Sequence, residues 1–254
     1  MENLSGKKWR GKLTIQTCLF FEDYRQVCIM SSMAAHSFSH PLPATAPGAH
    51  PKPSSRRAAT ASSEPVQDVR ERILDTASSL FYQRGVRAVG VDLVVAEAAV
   101  AKTSLYRYFP TKDDLIVAFL EREDVDFWGL WDAVAAQHAD DPAAELQAHM
   151  QWIGERLGRS NYRGCPQINV AAEFAEQDHP ARLVARQHMV TLRSRLHGIA
   201  ERLGVPRPEA LAAQLAVLIN GAFVSSGLLS GEEATPVLQA AVQALLAGAR
   251  AGNT

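Results

Sequence analysis

Cysteine is scarce in this chain: Cys18, Cys28 and Cys165 are the only three among 254 residues. An odd set without metal-ligand spacing argues against a disulfide framework and against a zinc module, and makes a reducing cytoplasm the natural compartment. Long apolar runs are also missing. The richest zone, residues 211–229, is interrupted by Gln214, Asn220, Ser225 and Ser226. Nothing reaches the roughly 18 uninterrupted apolar residues of a membrane span, so no membrane partner is expected. Excess charge of either sign is absent, with 26 Lys and Arg against 27 Asp and Glu and a formal net charge of −1. That balance excludes a histone-like, generally basic binder, and any nucleic-acid surface must be local.

Catalytic patterns are lacking as well. No Gly-rich phosphate loop, paired-carboxylate site or nucleophile–His–acid arrangement is recognisable. Cys165 lies near Arg163 at a predicted helix start, where a thiol pKa can fall, but a small buried residue is the favoured reading. His188 and His197 stand nine residues apart on one predicted helix, which puts them on opposite faces and prevents them from sharing a metal. No catalytic residue, cofactor or metal is expected, and the chain does not read as an enzyme.

Residues 31–63 are rich in Pro, Ala, Ser and His and cannot bury enough apolar surface to order themselves. Residues 1–64 are therefore expected to form a disordered extension, with Met30 or Met33 as the favoured native start. A signal peptide fits poorly, because Glu22, Asp23 and Arg25 interrupt the apolar stretch. From Pro65 onward helix follows helix. Val66, Val69, Ile73, Ala77, Leu80 and Phe81 recur at helical spacing until Gly85. A short second helix over 92–98 has Asp92 as its N-cap or first turn. After a third helix, Pro110 breaks the run and Thr111 caps a long fourth one reaching about residue 137, with Asp113 and Asp114 favoured at its N-terminus. Further helices are predicted over 143–157, 165–176, 180–203, 208–229 and 235–250, separated by Gly and Pro breaks. The fold class is all-α: three small helices lead into a larger helical body.

The third helix, within residues 100–112, is the most informative segment. At a helical pitch Leu105 and Phe109 point inward together, leaving Thr103 and Arg107 outward, flanked by Ser104, Tyr106 and Tyr108. Lys102, Arg107 and Lys112 add positive charge with no acid among them. A local basic, hydroxyl-rich helix is the footprint of a nucleic-acid reader.

The ordered series Ile73-Leu74-Asp75-Thr76-Ala77, Leu80-Phe81, Gly85, Val91, Val94, Ala98, Val100 and then Leu105-Tyr106-Arg107-Tyr108-Phe109-Pro110-Thr111-Lys112-Asp113-Asp114-Leu115 closely resembles the TetR family of bacterial transcriptional regulators, over residues 66–121. The resemblance implies an N-terminal three-helix helix-turn-helix DNA-binding domain (65–124) and a helical effector-binding and dimerisation domain (125–254). It implies a homodimer on a palindromic double-stranded operator, most simply a repressor released by a small-molecule effector. In that geometry Lys102, Thr103, Ser104 and Tyr106 are base-reading candidates, and Arg107, Tyr108 and Lys112 are backbone clamps. Lys112 adds its charge to the free amides at the start of the fourth helix.

Three positions depart from the commonest pattern of the family. Ala99 stands where a turn glycine is usual, Ala101 where a serine-like N-cap is usual, and Gly90 where a phosphate-contacting threonine is frequent. If the turn needs positive φ, Ala99 costs about 1 kcal/mol relative to Gly. Beyond residue 121, the segment 163–169 with Ala172, Glu173 and Phe174 resembles one branch of these regulators. Large or polar-tipped residues on convergent helices give the pocket candidates Trp128, Trp131, His149, Met150, Ile153, Ile168, Asn169, Phe174 and Phe223, although plain core packing produces the same spacing. The stripes Leu211, Leu215, Leu218 and Leu238, Val242, Leu245 are either the dimer interface or the private core of the body. The competing reading is a helical small-molecule binder or enzyme whose three N-terminal helices are a relic.

Overall fold

The computed structural model describes residues 68–225, 227–229 and 231–251. The expected extension over 1–64, the alternative starts and the roles given to Pro65 and Val66 lie outside the described residues. Nine α-helices, and no strand, occur among the described residues: α1 Val69–Arg84, α2 Val91–Glu97, α3 Lys102–Tyr108, α4 Lys112–Gln137, α5 Pro142–Leu157, α6 Pro166–Glu173, α7 Pro180–Arg202, α8 Pro208–Val224 and α9 Gly231–Ala251. No helix among them is long and apolar enough to cross a membrane.

Local chemistry sets the ends. Asp68 caps α1 by accepting from the Arg70 N–H at 3.2 Å, and Asp141 caps α5 by accepting from the N–H groups of Ala143 and Ala144 at 3.1 and 3.0 Å. Proline occupies the first turn of α5, α6, α7 and α8, where its missing N–H costs nothing. Helix α2 starts from Gly90, so Asp92 is a first-turn residue and not the cap. Two predicted helices end earlier than periodicity suggests, at Glu173 and Val224, and the last begins earlier, at Gly231. The Ser225 hydroxyl donates back to the Gly221 carbonyl at 2.6 Å, competing with continuation of α8. Helix α9 carries Pro236 in its second turn, where the earlier start moves a proline that the predicted range 235–250 put in the first turn.

Two apolar clusters organise the helices. Ile73, Leu74, Ala77, Phe81, Val94, Leu105, Phe109 and the first half of α4 form one, sealed by Val170 of α6 and Ala181 of α7. The second holds Phe127, Trp131, Leu146, Met150, Ile153, Leu192, Leu215, Phe223 and Val242. Helix α4 runs unbroken from one cluster into the other. Helices α5 and α9 cross at backbone contact: a Cβ on Gly158 would lie 2.7 Å from the Gly231 Cα, so only glycine permits this approach. The resulting frame presents α3 on the surface, anchored by Leu105 at 0% and Phe109 at 3% exposure.

Candidate nucleic-acid interface

The turn between α2 and α3 is built from backbone hydrogen bonds. Val100 N–H donates to the Val95 carbonyl and Ala99 N–H to the Ala96 carbonyl, both at 3.2 Å. This is the paired-bond helix stop whose pivotal residue is left-handed. Ala99 is that residue, with φ of 51°, and no other non-glycine described residue has positive φ. The strain inferred from its sequence position is therefore present. Ala101 opens α3 with an extended backbone and no side-chain cap. Gly90 opens α2 likewise, and a methyl group on its Cα would meet nothing within 4 Å.

Helix α3 turns Lys102, Thr103, Tyr106 and Arg107 to solvent, with Ser104 and Tyr108 half-buried. Tyr106 is 42% exposed, which frees its ring for contact, whereas Tyr108 packs on the neighbouring core. The Arg107 guanidinium lies 4.9 Å from the Tyr108 ring centroid and donates to its hydroxyl at 3.3 Å, which pre-orients the pair. Lys102 Nζ sits 2.6 Å from Asp92 Oδ1, and that hydrogen bond raises the lysine pKa. Asp92 was legible only as a helix-start residue; its pairing arises from how the turn brings α2 beside the start of α3.

Lys112 is half-buried at the first position of α4, and burial lowers its pKa. A reciprocal cap flanks it: Asp114 N–H donates to Thr111 Oγ1 at 3.1 Å, and Thr111 N–H donates to Asp114 Oδ2 at 2.9 Å. The Asp114 amide is thereby used, which leaves the first two amides of the helix for an external acceptor.

Three contacts that sequence reasoning missed fasten these helices. Arg122 of α4 pairs with both Glu71 and Asp75 of α1. Glu173 at the end of α6 accepts from the N–H groups of Val86 and Arg87, at 3.1 and 2.8 Å, in the turn after α1. Gly85 allows that approach, since a Cβ there would lie 2.9 Å from Glu173 Oε1 and its φ is 86°. Tyr82 accepts from Arg163 N–H at 2.8 Å and donates to the Gly164 carbonyl at 3.2 Å. Only an acidic residue in a family-like segment hinted at the Glu173 contact, and nothing local to Gly85 did.

The nine pocket candidates do not converge on one cavity. Trp131, His149, Met150, Ile153 and Phe223 are buried in the body core with Trp128 packed against it, and Trp131 stacks on His149 at 3.7 Å. Phe223 borders a void of about 20 Å³. Ile168 lines a groove of about 630 Å³ between α6, α7 and α8. The Asn169 amide donates to the Arg163 carbonyl at 2.9 Å. Phe174 belongs to the other cluster, stacked on His179 at 3.7 Å. Period alone cannot assign a residue to one of two cores.

The structure packs Leu211, Leu215, Leu238 and Val242 inside the body and Leu218 and Leu245 against the same core, which is the private-core alternative for these stripes. The outward face of α8 is Ala210, Gln214, Val217, Gly221 and Val224, and that of α9 is Val237, Ala240, Ala244 and Gly248. Cys165 is buried, and burial pushes its thiol up to about 11, the opposite of an activated nucleophile.

A short helix stopped by a left-handed residue, followed by a second helix anchored inward by two apolar side chains and polar outward, defines a helix-turn-helix DNA-binding protein. Residues 73–119 match the family model described as bacterial regulatory proteins, tetR family. The uncharacterised HTH-type transcriptional regulator YxaF of Bacillus subtilis is 31% identical over 188 residues, covering 69% of this chain and 93% of that one. The HTH-type transcriptional repressor KstR of Rhodococcus jostii is 32% identical over 102 residues, 40% of this chain and 45% of that one. Among solved structures, a TetR-family transcriptional regulator from Streptomyces coelicolor superposes with a TM-score of 0.68 at 27% identity, over 72% of this chain and 96% of that one. The chain belongs to the TetR family of bacterial regulatory proteins and is a DNA-binding regulator of transcription.

Proposed function

We propose that this protein is a cytoplasmic repressor that binds a near-palindromic operator as a homodimer and leaves it when a small molecule occupies the helical body. It acts by binding and not by catalysis. The observation that carries the reading is the outward face of α3, with Lys102, Thr103, Tyr106 and Arg107 exposed over a fully buried Leu105. Lys102, Thr103, Ser104 and Tyr106 read base edges, with Lys102 exchanging Asp92 for a base acceptor; Arg107, Tyr108 and Lys112 grip phosphate. The head comprises residues 65–124, and the body takes up residues 125–254. The repressor sign is supported by the name of KstR, which shares about a third of its residues over the aligned part.

Two half-sites require two heads. The outer faces of α8 and α9 suit a second copy, because alanine, glycine and valine let helices approach closely and Val217 and Val224 are 73% and 61% exposed. Footprinting of the upstream region, followed by titration with the protected sequence, tests the whole reading. Binding should fall steeply with salt and collapse for Arg107→Ala or Lys112→Ala. Equal affinity for a scrambled duplex refutes a sequence-specific regulator.

A further inference from the structure

The groove between α6, α7 and α8, at about 630 Å³, lies within the usual range of small-molecule sites. Much of its wall is apolar, including Ile168 and Met189, and its α8 side is Val217, Gly221 and Val224, the face proposed above to meet a second copy, so that in the dimer the partner borders this side of the groove. Its charge is one-sided: Arg182 and Arg186 line it and no carboxylate does, in a chain of formal net charge −1. Arg186 has no ion pair or hydrogen bond among the described residues. Arg182 spends its donors on neutral acceptors, the Phe174 carbonyl at 2.7 Å and Gln177 Oε1 at 3.1 Å, so its charge is uncompensated.

Two of the residues lining the groove also carry buried acceptors without donors. Gln167 is 1% exposed, and its Nε2 donates to the Leu120 carbonyl at 3.0 Å and Asp124 Oδ1 at 2.7 Å. Those two bonds fix the orientation of its amide and leave Oε1 buried with no partner. Asn220 Oδ1, on the α8 side, is buried and unpartnered as well. Two cations lack an anion around an apolar hollow, and two of the residues lining it carry a buried acceptor that lacks a donor.

We propose that this groove binds an organic anion with an apolar skeleton and a hydroxyl or N–H group. Arg186 and Arg182 take the acid, and Gln167 and Asn220 accept from the donor. This rests on the effector reading above and names the chemical class of that effector. An acid group on Arg182 competes with the Phe174 carbonyl, one residue from the Glu173 carboxylate that holds the turn after α1. The ligand thereby has a differential contact through which to favour one conformation of the head.

The test is calorimetric titration of the full-length protein, without DNA, using matched probes: 12-hydroxydodecanoate against 1,12-dodecanediol, and 6-hydroxy-2-naphthoate against 2,6-dihydroxynaphthalene. At least one acid should bind tenfold or more tightly than its neutral partner. Arg186→Gln should remove that advantage, Arg186→Lys should keep part of it, and neither should alter the melting temperature appreciably. Equal binding of acid and neutral probe, an advantage that survives Arg186→Gln, or no binding by either acid overturns the proposal. Operator binding by the same preparation is scored separately. Operator binding without acid binding removes the anion and leaves the repressor reading intact, whereas acid binding without any operator removes the repressor reading and leaves the groove.

Discussion

Replacing Ala99 by glycine should stabilise the protein, against the usual cost of introducing glycine. Ala99 sits at φ of 51° in the stop between α2 and α3. An L-residue in that region costs about 1–2 kcal/mol, and glycine gives back about 0.4–1 kcal/mol through the greater freedom of the unfolded chain. The net expectation is a gain of about 0.5–1 kcal/mol, or about 1–4 °C in Tm for a cooperative unit of this size. Nothing else in the site should change, because Ala99 is exposed and both backbone bonds of the turn survive. Scanning calorimetry at fixed protomer concentration measures the shift, with Ala99→Val as the opposite control, since a β-branched residue tolerates positive φ worst. A glycine variant that melts below the parent, or a valine variant that melts with it, would refute the assignment of strain to this turn.

Other expectations follow from the buried and fastening groups. Burial holds His149 down to about 3, so the unfolded chain alone takes up its proton as pH falls from about 6.5 to 3; stability declines across that window by up to about 4–5 kcal/mol. Chemical denaturation at several pH values should show the slope, and His149→Phe, which keeps the stack on Trp131, should flatten it. Glu173→Gln weakens the hold on the Val86 and Arg87 amides and should cost about 1–2 kcal/mol in stability; an unchanged denaturation midpoint would show that these bonds contribute nothing. Asp92→Asn releases Lys102 and removes a negative charge beside the reading helix, so DNA affinity should rise and its salt dependence steepen by about one ion, measured by titration at several salt concentrations.

The helices and the reading face were legible because they follow from local rules. The spacing of Leu105 and Phe109 alone fixes which side of α3 faces out, and Thr111 with Asp114 announces the start of α4. The left-handed turn was legible through the family pattern, which usually places a glycine where Ala99 stands, and Ala99 has a φ of 51°. What stayed hidden depends on which elements become neighbours. Asp92 meets Lys102, and Glu173 meets the amides after Gly85, only after the chain has folded back. The stripes on α8 and α9 illustrate a second obstacle. Helices α8 and α9 each carry two apolar faces, and the larger residues, such as Leu211, Leu215, Leu238 and Val242, fill the inner one. The outer face of alanine, glycine and valine has weaker periodicity and was overshadowed.

How the head can move relative to the body is constrained by these contacts. Helix α4 carries Leu115, Phe119 and Leu120 in one core and Phe127 and Trp131 in the other, and Arg122 clamps it to α1 through Glu71 and Asp75. Splitting either core exposes apolar surface, at about 25 cal/mol per Å². The contacts away from α4 are different in kind. Glu173 holds two backbone amides, and Tyr82 holds the Arg163 and Gly164 backbone, at part-exposed positions where water can replace each partner. The least costly rearrangement therefore keeps α1 to α4 as one piece and exchanges these polar contacts with α6 and its preceding loop for water. Val170 and Ala181 limit its amplitude, because they belong to the head core while standing on α6 and α7. A displacement of α6 large enough to withdraw Val170 would uncover that core, so a small slide that frees Glu173 first is the motion this packing favours.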